Sequence, residues 1–167
     1  MENFLKLLKI RRSVRVFQNK SIPKTQLEKI VDAARFAPTA RNVQPWEFVV
    51  VTDKNKLTAL ANLVENGRFI AQAAACIVVF SADTKYFLED GSAATCNILL
   101  AATALGIGSC WVAGDKKSYC HEVNVLLNAP LGMKLISIIA LGYPQDKNVF
   151  RVMAKRELKE LLHWEKF

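Results

Sequence analysis

The sequence predicts an α+β domain in which one sheet carries helices and a long helix is buried at the centre. Three observations predict it. Helical and strand patterns mix without strict β-α-β regularity. Residues 90–105 are apolar almost all round, a pattern a helix keeps only inside a core. A chain of 167 residues, 51% hydrophobic and 23% charged, suits one packed domain spanning 1–167.

The elements follow in order. A short first helix is predicted over 2–9. Ser21-Ile22-Pro23 opens a second, because proline suits a first helical turn and Leu27, Ile30, Val31 and Ala34 fall at i, i+3, i+4 and i+7. Pro38 stops it. A loop over 39–45 leads to a strand over 46–52, rich in β-branched residues. Asp53 can cap a helix running to about Val64. A strand over 75–81 precedes the long helix. Then come a strand over 109–113, a helical stretch over 115–127, and a strand over 135–141 that ends at Gly142-Tyr143-Pro144. A last short helix is expected over 156–163. No repeat, low-complexity segment or linker interrupts this. A wholly apolar helix in so small a domain also points to a homodimer, whose interface can cover a face that a monomer leaves bare.

Composition excludes several classes. The apolar stretches 69–80 and 98–107 fall short of the ~18–20 residues of a bilayer crossing, so no membrane partner is expected. Glu2, Lys6 and Lys9 interrupt the N-terminal apolar residues and Arg11-Arg12 follows, which is not a signal-peptide pattern. Cys76, Cys96, Cys110 and Cys120 are spaced by 20, 14 and 10 residues without a C-x-x-C pair, and read as free thiols of a reducing cytosol. His121 and His163 lack ligand spacing, so no metal is expected.

The formal net charge of +8 is uneven: residues 1–41 carry +7, 42–145 carry −1 and 146–167 carry +2. Basic ends around a near-neutral body suit an anionic partner, either a polyanion or one phosphate-bearing cofactor. Scattered lysines read as solvated surface. Arg11, Arg12 and Arg15 are different, because three guanidiniums within five residues repel one another and a phosphate relieves that by bidentate contacts.

Familiar nucleotide and hydrolase motifs are missing. There is no G-x-x-x-x-G-K-[ST] and no G-x-S-x-G. Gly106-Ile107-Gly108 precedes a strand and has Trp111 at the third glycine position, so the dinucleotide fingerprint fails. Cys120-His121 are neighbours in sequence, which does not make a catalytic pair. No zinc-finger or RNA-binding signature occurs.

Four stretches stand in a fixed order. They are Arg11-Arg12-Ser13-Val14-Arg15; Ala37-Pro38-Thr39-Ala40-Arg41-Asn42-Val43-Gln44-Pro45-Trp46; Asp90-Gly91-Ser92 running on to Gly108–Gly114; and Leu141-Gly142-Tyr143-Pro144 followed by Lys155-Arg156. Together they resemble the FMN-dependent nitroreductase family over about residues 9–162. The resemblance implies a mostly antiparallel central sheet flanked by helices, in an intertwined homodimer with flavin at the interface.

It also implies roles. Arg11, Ser13 and the adjacent Arg12 would meet the FMN phosphate and ribityl chain, and Arg15 the pyrimidine edge of the ring, where a cation stabilises reduced flavin. Pro38, Thr39, Ala40, Asn42 and Gln44 match the loop presented to the partner's flavin. Val112, Ala113 and Gly114 would pass the ring, with a backbone N–H near N5. Many relatives carry an acidic residue where this chain has Ala113. Lys155 and Arg156 match a C-terminal basic pair that closes on the phosphate. The family's mid-chain ring contacts would fall near residues 66–70. About twenty residues separate Gly114 from the next strand, so the inserted helices that cover larger relatives' sites are missing and the site is expected to be open.

The activity implied is transfer of electrons from NADH or NADPH through FMN to a small acceptor such as a nitroaromatic or quinone, in ping-pong order. No catalytic side chain is required. Two rivals stand beside it: a flavin-binding sensor or store without turnover, and a basic nucleic-acid-binding module. The latter lacks interleaved aromatic and basic residues, so no nucleic-acid partner is expected.

Overall fold

Strand β2 (Ala75–Ser81) is buried along its whole length, because helices cover both faces of the sheet it centres. The protein is described by a computed structural model covering residues 2–167. Its remaining elements are α1 (Glu2–Ile10), α2 (Lys24–Ala34), β1 (Trp46–Val51), α3 (Lys54–Leu63), α4 (Phe87–Ala104), β3 (Gly108–Ala113), α5 (Cys120–Leu126) and β4 (Lys134–Gly142). The four strands pair antiparallel in the order β1-β2-β4-β3.

Side-chain alternation along β2 builds two cores. Ala75, Ile77 and Val79 face α2 and α4, packing with Leu27, Ile30, Ile98 and Ala102. Cys76, Val78 and Phe80 face α3 and α5, packing with Leu57, Leu60 and Val123. The register slips once: Val79 pairs with Ser137 but Phe80 with Leu135, leaving Ile136 as a bulge. That residue presses on α4 where Gly91 makes room, since a Cβ at Gly91 would lie 2.7 Å from Ile136 Cγ1.

The four expected strands and all but the last of the expected helices are present, most with shifted ends. Pro23 caps α2 rather than lying inside it. Asp53 caps α3 as expected, accepting from the Lys56 N–H at 2.9 Å. Helix α4 begins three residues before the predicted 90. One flank is buried, while Ser92, Cys96, Leu100 and Ala104 on the other remain half or fully exposed in this chain. A 3-10 turn, Arg68–Gln72, was not anticipated.

Two helical predictions need correction. The stretch 115–127 is helical only from Cys120, because Lys116 sits at φ +65° and the chain turns there, Lys117 N–H donating to Gly114 O. The helix expected over 156–163 reduces to a 3-10 turn, Leu158–Glu160. All residues from 151 to 167 are exposed, so no packing supports a helix there. Among the described residues no helix is long and apolar enough to cross a membrane.

Candidate functional site

The basic N-terminal segment is built into the sheet rather than draped over it. After α1, the chain runs beside the start of β3, with Ser13 bridged in parallel to Ser109 and the Val14 N–H donating to Ser109 O at 2.9 Å. It continues past the end of β4, where Gln18 N–H donates to Tyr143 O at 2.8 Å and Gln145 N–H to Val16 O at 3.2 Å. Val14 and Phe17 are buried anchors. They fit because Gly108 and Gly142, paired across β3 and β4, have no side chains. A Cβ at Gly108 would lie 2.9 Å from Val14, and one at Gly142 would lie 2.7 Å from the Phe17 ring.

Anchoring Val14 and Phe17 leaves Ser13 and Arg15 exposed and Arg11 and Arg12 half-buried. Among the described residues none of these arginines has an acidic partner. Arg12 donates from Nη2 to Lys9 O at 3.0 Å, and its Nε is buried without a partner, as is Ser109 Oγ. Ser13, Arg15 and Arg11 also surround Cys110. Burial pushes that thiol up, and the arginines and the Ser13 hydroxyl pull it part of the way back. A cluster of arginines without acidic partners, with orphaned polar atoms beside it, thus lies at the start of β3.

The other end of β3 is held from outside. Tyr119 Oη donates to Ala113 O, and Cys120 Sγ donates to Gly114 O at 3.1 Å. Gly114 runs against β4 so closely that a Cβ would lie 2.7 Å from Leu135 O. Only glycine fits there. Burial pushes the Tyr119 hydroxyl up, with Cys120 and Glu65 adding to the shift.

Between these features lie two adjoining cavities. One of about 220 Å³ reaches Cys110, Val112 and Ala113. The other, of about 1060 Å³, extends to Arg68, Asn62 and Ser118. Arg15, Asn66, Phe69 and Tyr119 line both, and the Arg15 guanidinium lies 5.8 Å from the centre of the Phe69 ring.

The loop containing Pro38, Thr39, Ala40, Asn42 and Gln44 lies elsewhere, on the N-terminal end of α4. Its anchor is Asp90, which is 6% exposed. Asp90 accepts from Thr39 Oγ1 at 2.8 Å and from the Ala40 N–H at 3.2 Å, while Thr39 Oγ1 accepts from the Gln44 N–H at 3.1 Å. Arg41, Asn42 and Gln44 all have φ between 53° and 57°. Three non-glycine residues in the left-handed region store strain that Asp90 holds in place. Thr39's hydroxyl is therefore occupied within its own chain.

The structure brings Arg11, Ser13 and Arg15 together around Cys110. Val112 and Ala113 line the small cavity with Arg15, and Gly114 follows them. Lys155 and Arg156 are not brought there within this chain: both lie on the exposed tail, where Arg156 Nε is 3.4 Å from Glu160 Oε2. The sequence motif contains Asp90 but gives it no role, the 66–70 stretch contains Arg68 without singling it out, and Tyr119 was missed. A carboxylate in the first turn of an otherwise apolar helix was the signal for Asp90.

Comparison with known proteins agrees with this arrangement. The model of the "Nitroreductase family" matches residues 8–85, and that of "Putative TM nitroreductase" matches 58–166. A protein of Archaeoglobus fulgidus described as "Putative NADH dehydrogenase/NAD(P)H nitroreductase" is 38% identical, with both chains fully covered. A crystal structure of the same description from Bacteroides thetaiotaomicron superposes with a TM-score of 0.92 at 30% identity, covering 99% of this chain and 98% of that one. An "FMN-dependent Nitroreductase" from Clostridium difficile superposes at 0.88 with 29% identity, covering 98% and 99%. An antiparallel sheet with a basic segment stitched to its β3–β4 edge, and matches that together run from residue 8 to 166, lead to one conclusion: the chain belongs to the nitroreductase family.

Proposed function

We propose that the protein is an FMN-dependent oxidoreductase that takes electrons from NADH or NADPH and passes them to a small acceptor such as a nitroaromatic or quinone. The observation that carries this is the arginine cluster at the start of β3, where Arg11, Arg12 and Arg15 lack acidic partners among the described residues and Arg12 Nε is buried unsatisfied. A dianionic phosphate fits that donor set, because guanidiniums and a hydroxyl bind it by charge-assisted hydrogen bonds. When bound, FMN supplies the redox chemistry, accepting hydride at N5 and returning electrons to the acceptor.

The protein's own residues bind and orient. Arg11, Arg12 and Ser13 hold the phosphate end. Arg15, on the wall of both cavities, supplies a cation beside the ring. Tyr119 fixes the Ala113 carbonyl, and the Gly114 N–H lies on the opposite side of the same planar peptide. That N–H therefore points away from Tyr119, as a fixed donor for a ring atom. Val112 and Ala113 form the adjoining wall.

The whole chain, 1–167, acts as one domain in this reading, and two copies form an intertwined dimer. The exposed tail supports that: Val152, Met153, Leu158, Leu161, Leu162, Trp164 and Phe167 are all at least 45% exposed. A second copy would cover them, bring Lys155 and Arg156 to the partner's phosphate, and present Pro38, Ala40, Asn42 and Gln44 across the interface. The test is the visible spectrum of the purified protein, before and after anaerobic NADH and NADPH. A flavin band that bleaches with either nucleotide is expected. A protein that stays colourless after FMN is added overturns the reading.

A further inference from the structure

The loop over 39–44 is held in a shape that its own residues resist. Arg41, Asn42 and Gln44 lie at φ between 53° and 57°, and none is glycine. Such backbone persists only where its surroundings over-determine it. The central hold is one carboxylate. Asp90 Oδ2 accepts from Thr39 Oγ1 at 2.8 Å, and Oδ1 accepts from the Ala40 N–H at 3.2 Å. Thr39 Oγ1 in turn accepts from the Gln44 N–H at 3.1 Å, which closes the loop. Asp90 is itself fixed: its N–H donates to Tyr86 O at 2.9 Å, and the next residue, Gly91, is wedged under Ile136. Beyond the loop, Pro45 O accepts from the Ala82 N–H at 2.8 Å, and Trp46 packs on Ala37 and Ala94. Residues 41–44 are nevertheless all exposed. Strain kept at an exposed loop points to function rather than to packing.

The loop stands apart from the cofactor site of its own chain. It leads into β1, whereas Val112 and Ala113 lie on β3. These strands are opposite edges of the sheet, three spacings or about 14 Å apart. The sheet also lies between them. Asp90 belongs to α4, which covers one face with α2, while Phe69 and Tyr119 of the cavity wall pack on the other face with α3 and α5. A second copy closes this gap. The flank of α4 bearing Ser92, Cys96, Leu100 and Ala104 is half or fully exposed, and β3 begins four residues after α4 ends. A two-fold axis across that flank sets the N-terminal end of one α4 beside the C-terminal end of the other. The loop of one chain then meets the arginine cluster of its partner.

We propose that Asp90 is a positioning residue that acts across the dimer, holding the 39–44 loop of one chain in the shape that completes the FMN site of the other. The inference rests on the FMN oxidoreductase reading and its dimer. It gives the carboxylate a part in cofactor affinity, although Asp90 itself meets only the loop.

The test uses full-length dimers stripped of flavin, with FMN fluorescence quenching as the readout. In the Asp90→Asn homodimer an amide faces two donors and can accept from only one of them. The Kd for FMN is expected to rise about tenfold, while sedimentation still shows a dimer. The decisive sample is a heterodimer isolated with two different tags. One chain carries Asp90→Asn, and the other carries Arg11→Gln and Arg15→Gln. If Asp90 acts across the interface, one site joins an intact arginine cluster to an intact loop, and the other site carries every defect. The titration then shows one site per dimer with wild-type affinity. Thr39→Val removes the hydroxyl that Asp90 holds. It should give the same stoichiometry, and it replaces Asp90→Asn if that variant does not fold.

A heterodimer with no site of wild-type affinity overturns the proposal, because each defect then acts in its own chain. So does an Asp90→Asn homodimer that binds FMN like the wild type, and so does a wild-type protein that binds FMN as a monomer. A protein that takes up no FMN overturns the underlying oxidoreductase reading, a result separate from these.

Discussion

Replacing Gly108 by alanine tests whether the sheet positions the basic segment. The new Cβ would lie 2.9 Å from both Val14 Cβ and Cγ1 and 3.0 Å from Cγ2. Rotating Val14 about χ1 relieves the γ-methyls but not its own Cβ, so the backbone of 13–15 must move. A shift of about 0.5–1 Å restores ordinary contact and breaks the 2.9 Å bond from Val14 N–H to Ser109 O. Overpacking costs about 1–3 kcal/mol, and the lost hydrogen bond costs about 1 kcal/mol more. The reduced freedom of the unfolded chain returns up to about 1 kcal/mol. The expected net loss is about 1–4 kcal/mol, a fall in Tm of roughly 3–15 °C for a chain of this size.

The functional effect should be larger than the structural one. Moving Arg11, Ser13 and Arg15 misaligns charge-assisted contacts to the phosphate, so FMN affinity should fall about 10–100-fold. Adding Val14→Ala should restore part of it, since the methyls leave and the Cβ remains. Thermal denaturation and FMN fluorescence quenching measure the two effects. A Gly108→Ala protein that is destabilised but binds FMN like the wild type would refute the reasoning.

Other perturbations have equally definite outcomes. Asp90→Ala removes the acceptor for Thr39 Oγ1 and Ala40 N–H, and should cost about 2–4 kcal/mol in chemical denaturation; loss of protection of 39–44 in hydrogen exchange would locate it. Cys76, fully buried within its own chain, should react with a thiol reagent only on unfolding. Burial holds the Cys76, Cys110 and Cys120 thiols above their ordinary value of 9.0. Below that pH these thiols should leave stability unchanged. Above it the unfolded chain releases protons that the folded chain keeps, so stability should fall with rising pH, by up to about 1.4 kcal/mol per pH unit for each fully protected thiol. Deleting residues 151–167 should leave the body folded, since all of them are exposed. The same deletion should weaken dimer formation in sedimentation.

The sequence was most legible where one residue type had one physical use. The run 75–80 is continuously apolar with β-branched Ile77, Val78 and Val79 at its centre, and the strand spans it. Asp53 could only cap, and it does. The arginine cluster was legible as unrelieved charge, and it remains unrelieved in the fold. Pairings distant in sequence were not legible. Thr39 and Asp90 are 51 residues apart, and nothing local says that a loop hydroxyl will find that carboxylate. Nor did Gly108 and Gly142 announce that they lie opposite each other to admit Val14 and Phe17. The tail misled because Leu158, Leu161 and Leu162 have helical spacing, but this chain offers them nothing to pack against. Tyr119 carries no signal in the sequence, because its role depends on a turn created by Lys116 at φ +65°.

The most direct measurement compares the affinities of FMN and riboflavin for the same protein, stripped of flavin. The two ligands differ only in the phosphate. If Arg11, Arg12 and Ser13 exist to hold it, FMN should bind at least about 100-fold more tightly, two or more charge-assisted contacts' worth, and that advantage should shrink as salt is added. Equal affinities would contradict the account, because the arginine cluster at the start of β3 would then serve some other anion.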